Sequence, residues 1–137
     1  MKSLLVVAEY VTVNPDGTFA MLRGGINKLT AAQYPWVFPL GFITRVVGDF
    51  GEEGRHDFRL VIIDYDGREI AKAEGAFEIS SEQRVFNCGV NLRVKLERPG
   101  GISVRLIIDR QLAYDWPLQV VVASPKTAPP GAEPEES

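Results

Sequence analysis

The sequence predicts an all-β chain: a two-sheet antiparallel β-sandwich, Ig-like or jelly-roll-like, of eight or nine strands. Three observations predict it. Apolar residues recur at every second position over long stretches, turn residues punctuate the chain at close spacing, and no segment carries a sustained helical period. The clearest stretch reads Phe86, Cys88, Val90, Leu92, Val94, Leu96 on one face, with Asn87, Gly89, Asn91, Arg93, Lys95 and Glu97 between them. After Arg98-Pro99-Gly100-Gly101 the alternation resumes at Ile102, Val104, Leu106 and Ile108. Side chains of a strand point to alternate faces, so this region reads as a hairpin with one apolar and one polar side.

The remaining elements follow in order. Residues 4–13 are an apolar first strand, turned by Asn14-Pro15-Asp16-Gly17 into a second strand around Phe19, Met21 and Leu22. The pair predicts an N-terminal hairpin. A short strand and a loop are expected over residues 26–34. Trp36, Phe38, Leu40, Phe42, Thr44 and Val46 alternate next, and Pro39, which has no backbone donor, places that strand at an edge or breaks it. Phe58, Leu60 and Ile62 share a face, while Val61, Ile63 and Tyr65 line the other, so this strand is expected in the middle of a sheet. Asp66-Gly67 is a strong hairpin signal leading to a return strand with Ala71, Ala73, Gly75, Phe77 and Ile79 on one side. A turn at Asp109-Arg110-Gln111 precedes a last strand through Trp116, Leu118, Val120 and Val122. Residues 1–123 form the expected sandwich domain. Residues 124–137, rich in Pro and Glu, bury too little to offset the entropy of ordering and are expected to be a disordered tail.

Composition excludes several function classes. The formal net charge is -3, so the cationic surplus of a nucleic-acid binder is missing. Cys88 is the single cysteine and His56 the single histidine, which removes an intramolecular disulfide, cysteine clusters and multi-histidine metal centres. The apolar run 4–8 ends at Glu9, too short for the about 7–15 residues of a signal-peptide core, and no run reaches a membrane span. The expected location is cytoplasmic, with no membrane or nucleic-acid partner and no cofactor.

Candidate chemistry is sparse. Asp64-Tyr65-Asp66-Gly67 departs from a calcium loop, because Gly comes too early and Arg68 stands where a ligand is needed, so it reads as a turn. Asp49, Glu52 and Glu53 read as solvated loop acids. His56 and Asp57 are neighbours whose side chains point to opposite faces, which argues against a general-base pair. Cys88 reads as a small core residue. Arg93 and Arg105, with Lys95, make a candidate basic stripe on the polar side of the predicted hairpin, with Glu97 and Asp109 as its expected cross-strand partners. Tyr34, Trp36, Tyr114 and Trp116 are the candidate aromatic binding residues, core caps in one reading and an exposed stacking platform in the other.

The order of features resembles a family of short bacterial β-sandwich proteins of unknown function. The resemblance lies in Ala8-Glu9-Tyr10 before Asn14-Pro15-Asp16-Gly17, the Gly24-Gly25 strand exit, and Phe58-Arg59-Leu60 before Tyr65-Asp66-Gly67. It continues in Pro99-Gly100-Gly101 and Pro117-Leu118-Gln119-Val120, over about residues 3–123. It implies a fold and carries no catalytic residues. The expected function is a non-catalytic interaction or assembly module acting through a protein partner or self-association. A carbohydrate- or small-ligand-binding sandwich using the exposed aromatics is the alternative.

Overall fold

The computed structural model describes residues 1–123; the predicted tail lies outside them. The chain is all-β, with ten strands and no helix among the described residues. In order these are β1 (Lys2–Ala8), β2 (Tyr10–Val13), β3 (Phe19–Leu22), β4 (Lys28–Ala31) and β5 (Trp36–Val47). They continue with β6 (Gly54–Ile63), β7 (Glu69–Ile79), β8 (Val85–Leu96), β9 (Gly100–Ile108) and β10 (Gln111–Val122). They form a three-stranded sheet β1-β5-β8, a five-stranded sheet β4-β10-β9-β6-β7, and the separate hairpin β2-β3.

The predicted sandwich of eight or nine antiparallel strands is corrected in three respects. There are ten strands in three sheets, and β4 runs parallel to β10. The first predicted strand is broken at Glu9: β1 pairs with β5, while β2 pairs with β3. The predicted hairpin of residues 86–108 does not form either. Its first half, β8, pairs with β5, and its second half, β9, lies between β6 and β10. Arg98-Pro99-Gly100-Gly101 carries the chain from one sheet to the other instead of folding it back. Period-two alternation reports that one face must be buried and is silent about the neighbour that hydrogen-bonds the strand.

One main core joins the inner faces of the two larger sheets. Leu5, Phe38, Leu40, Phe42, Val46 and Val94 come from the first, and Phe58, Leu60, Ile62, Val104, Leu106 and Leu118 from the second. Pro39 does not break β5, which is central in its sheet. Pairing with β1 ends at Gly41, so at Pro39 the strand has a partner only on the β8 side. β6 is interior as expected, and Val61 on its outer side is only 2% exposed. The Asp66-Gly67 hairpin also forms, with Asp64 Oδ1 accepting the backbone N–H groups of Asp66 and Arg68 and Gly67 at φ 85°.

The β2-β3 hairpin lies over the outer face of the three-stranded sheet and makes a second, small core of Ala8, Val11 and Ile43. Two features allow this approach. A Cβ on Gly41 would stand 2.8 Å from the Val11 backbone nitrogen, so only glycine fits beneath β2. The Asn91 carboxamide bonds both polar groups of Val11, accepting from its N–H at 3.0 Å and donating to its carbonyl at 2.8 Å. Asn87 holds the hairpin tip by donating to the Gly17 carbonyl at 2.8 Å and accepts from Arg45.

Truncating this clamp strands two backbone groups of a buried residue. Asn91→Ala is expected to lower unfolding free energy by about 1–3 kcal/mol in urea melts. Gly41→Ala is expected to cost a similar amount, roughly 1–3 kcal/mol, through overpacking. A control substitution of exposed Glu82, which lies outside the strands, should leave the midpoint unchanged.

Candidate functional site

The sequence-derived binding residues fall in different places. Tyr34, Tyr114 and Trp116 pack against the main core as half-buried residues, whereas Trp36 is 46% exposed. The polar tips of two of the inner three serve the fold: Trp116 Nε1–H donates to the Ile26 carbonyl at 2.7 Å, and the Tyr34 hydroxyl to the Val121 carbonyl at 2.5 Å. These bonds fasten the segments flanking β4 to β10, and Tyr114 packs on the same core, so three of the four aromatics act as core caps.

Arg93 and Arg105 do not form one basic stripe. Arg93 is on the outer face of the three-stranded sheet and Arg105 on that of the five-stranded sheet, because β8 and β9 part company at the crossing. Their expected acidic partners differ too. Lys95 pairs with Glu97 just past the end of its own strand at 3.6 Å, and Asp109 is taken by His56. Arg105 Nε reaches the Ser103 hydroxyl, which donates to Asp115.

His56 is the centre of the most ordered polar cluster, and its partner escaped the sequence reading. Its side chain is 14% exposed and stacks on Phe77, with ring centroids 5.4 Å apart. Nδ1 lies 2.6 Å from Asp109 Oδ2, and Nε2 lies 2.7 Å from the Glu52 carbonyl oxygen. Both partners are acceptors, so both ring nitrogens must carry protons and the imidazolium is the form that satisfies the site. The Asp109 hydrogen bond, followed by the Glu52 carbonyl, raises the His56 pKa above its usual value, with burial opposing. The same hydrogen bond lowers the pKa of Asp109. The other carboxylate oxygen of Asp109 accepts the Asp57 backbone N–H at 3.0 Å, and Asp109 N donates back to the Asp57 carbonyl. Asp109 and Arg110 have φ of 50° and 68°, the two positive values of a two-residue hairpin turn. The turn sets the carboxylate facing β6, 53 residues upstream. The signal that could have found it is the Asp at the first turn position; what it faces depended on β9 lying beside β6.

This cluster lines a hollow of about 330 Å³ together with Ser3. A histidine whose two nitrogens both donate has no free lone pair to take a hydroxyl proton, so His56 in this geometry is a clamp and not a general base. Among the described residues no group of three or more His, Cys, Asp or Glu is placed to hold a metal. Cys88 is half-buried, and burial pushes its thiol pKa up, away from a reactive thiolate.

Exposed apolar side chains gather at one end of the three-stranded sheet. Tyr10 and Leu22 are opposite each other on β2-β3 and are 52% and 61% exposed. Tyr10 adjoins Gly41, and the outward row of β5 continues from there through exposed Pro39 and Val37. Opposite those two on β8 stand exposed Arg93 and Lys95. Trp36 is at the same end of β5.

The His56 clamp predicts the pH dependence of stability. A raised folded pKa gives stability that is complete below the unfolded value near 6.5 and is lost as pH rises through the folded value. The depressed Asp109 gives stability lost as pH falls through its own titration. Thermal midpoints should therefore decline as pH rises above about 6.5 and through the raised folded value of His56. In Asp109→Asn this alkaline decline should flatten, and His56 should titrate lower by NMR.

No helix among the described residues is long and apolar enough to cross a membrane. A comparison with curated proteins finds no match. The model of a family of unknown function, DUF6941, matches residues 3–121, nearly all of the strand-forming chain, and the protein belongs to that family.

Proposed function

We propose that this chain is a non-catalytic protein-interaction module whose docking face is the uncovered end of the three-stranded sheet. The observation that carries this reading is the grouping of Tyr10, Leu22, Val37 and Pro39 beside Arg93 and Lys95. Single exposed apolar residues are ordinary. A contiguous group with an aromatic member and a basic rim has the composition of an interface, where aromatic and arginine anchors carry most of the binding energy. The partner is a protein with apolar anchors and an acidic margin. The half of the sheet's outer face that the β2-β3 hairpin covers is closed by its own chain, which concentrates recognition at the open end.

A photo-crosslinking amino acid at Leu22 or Val37, introduced in cells that naturally make the protein, tests this. One discrete adduct should form from both positions, should disappear with Arg93→Glu, and should be missing when the crosslinker is at Lys72 on β7. Failure to obtain an adduct from either position overturns the proposed face.

A further inference from the structure

Among the described strands, β2 and β3 alone pair only with each other. No residue between Tyr10 and Leu22 belongs to the main core. Val11 is the single buried side chain of that span, and Val13, Phe19 and Met21 are half-buried beside Ala8 and Ile43. A two-stranded hairpin is marginal by itself, so its position depends on what lies beneath it.

The seat is flat and the latch is polar. Gly41 of β5 and Gly89 of β8 lie under the hairpin, and a Cβ on Gly89 would stand 3.0 Å from Val13 Cγ2 and 3.3 Å from Val11 Cγ2. There the two valines rest on bare backbone, without a side chain beneath them to interlock with. The latch is the Asn91 carboxamide on Val11 and the Asn87 carboxamide on the Gly17 carbonyl. When the hairpin lifts, these amides and the backbone groups they serve pass into water together, so no polar group is stranded. The hairpin is closed at its root by the Glu9 N–H on the Leu22 carbonyl. Just beyond, the N–H groups of Gly25 and Ile26 bond the Val7 carbonyl and fix the chain to β1. Only Arg23 and Gly24 lie between those anchors on one side, and the Ala8–Glu9 junction on the other. A few residues at the ends of an element are where a hinge absorbs its rotation.

We infer that the β2-β3 hairpin is a hinged element that opens as one unit from the otherwise folded sandwich, and that the docking face is assembled only when it is closed. The second half of this inference rests on the interaction face proposed above. Tyr10 and Leu22 of that face ride on the hairpin, whereas Val37, Pro39, Arg93 and Lys95 belong to the three-stranded sheet. A partner that touches both groups binds the closed form alone, so the hinge sets the fraction of chains competent to bind. The hairpin moves and the sheets do not because an element with few buried side chains opens at lower free energy than strands that share a core.

Native-state hydrogen exchange of the full chain tests the hinge. The Glu9 and Val11 amides and those of the β2-β3 ladder should exchange about a hundredfold faster or more than the β5-β8 and β6-β9 ladders, with one common opening constant. Gly41→Val should hold the hairpin off, because a Cβ there would already stand 2.8 Å from the Val11 nitrogen. Its hairpin amides should lose protection while the β5-β8 and β6-β9 ladders keep theirs. The adduct from a photo-crosslinker at Val37 should fall about tenfold or more in the same variant. Val11→Ala with Asn87→Ala adds no bulk and should speed hairpin exchange about tenfold or more, again sparing the ladders. Wild-type hairpin amides that exchange together with the ladders, or a Gly41→Val chain whose ladders unfold with the hairpin, overturn the hinge. An undiminished Val37 adduct in Gly41→Val overturns the dependence of the face on closure. A wild-type chain that gives no adduct removes the interaction face, and the exchange result then decides the hinge by itself.

Discussion

At Arg98-Pro99-Gly100-Gly101 the chain leaves the three-stranded sheet and enters the five-stranded one, and the architecture depends on that crossing being held in place. Gly100 has a φ of 146°, and a Cβ there would stand 2.6 Å from the Tyr65 ring. The Arg98 guanidinium lies 4.6 Å from the centroid of the same ring and pairs with Asp66. The turn between β6 and β7 therefore acts as the seat for the crossing. With β8 on one side and β9 on the other, the two halves of a single alternating sequence face each other across the core. Each supplies the apolar surface that the other needs, which is how strands with one greasy face are stabilised without pairing to each other.

The outer faces of the sheets are treated differently. That of the three-stranded sheet is partly roofed by β2-β3, and the roof is attached by polar chemistry that imitates a strand neighbour. The carboxamide of Asn91 presents a donor and an acceptor to Val11 much as a backbone would, while Gly41 and Gly89 remove the side chains that would hold the hairpin off. Among the described residues the outer face of the five-stranded sheet has no such roof. Val61 is nevertheless buried there, opposite Lys72 and Arg105, whose aliphatic stems suit such a covering role.

Polar order is concentrated where segments distant in sequence meet. His56 links the loop before β6, the strand itself and the β9-β10 turn, and the Phe77 ring closes its remaining side against Phe86, 4.7 Å away. This seam joins β7 to β8 and so joins the edges of the two sheets. Chemistry that resembles half of a catalytic dyad serves to fasten the fold, because the nitrogen a substrate would need already donates to a carbonyl. Large apolar side chains remain outside at the Tyr10–Leu22 end and on the loop that carries Phe50.

Much of this was legible from the residues alone. Alternation identified the inward sets of β5, β6, β8 and β9, and turn chemistry at Asn14–Gly17, Asp66-Gly67 and Asp109-Arg110 marked three reversals that form. Those signals are local, set by the geometry of a pleated strand and by residues that tolerate particular φ values. Strand partners were not legible, since any strand with a buried face satisfies the same pattern. Arg93 and Arg105 consequently read as one stripe and lie on different sheets, and Asn87 and Asn91, read only as part of a strand's polar side, clamp the β2-β3 hairpin. His56 read only as facing away from its neighbour Asp57, and Asp109 reached it because β9 lies beside β6. The sequence by itself determined an all-β chain and which side of each strand must be buried, through period and turn chemistry. The tertiary structure alone decided which strands pair, which polar groups meet and which apolar groups stay uncovered, because those depend on contacts between residues far apart in the chain.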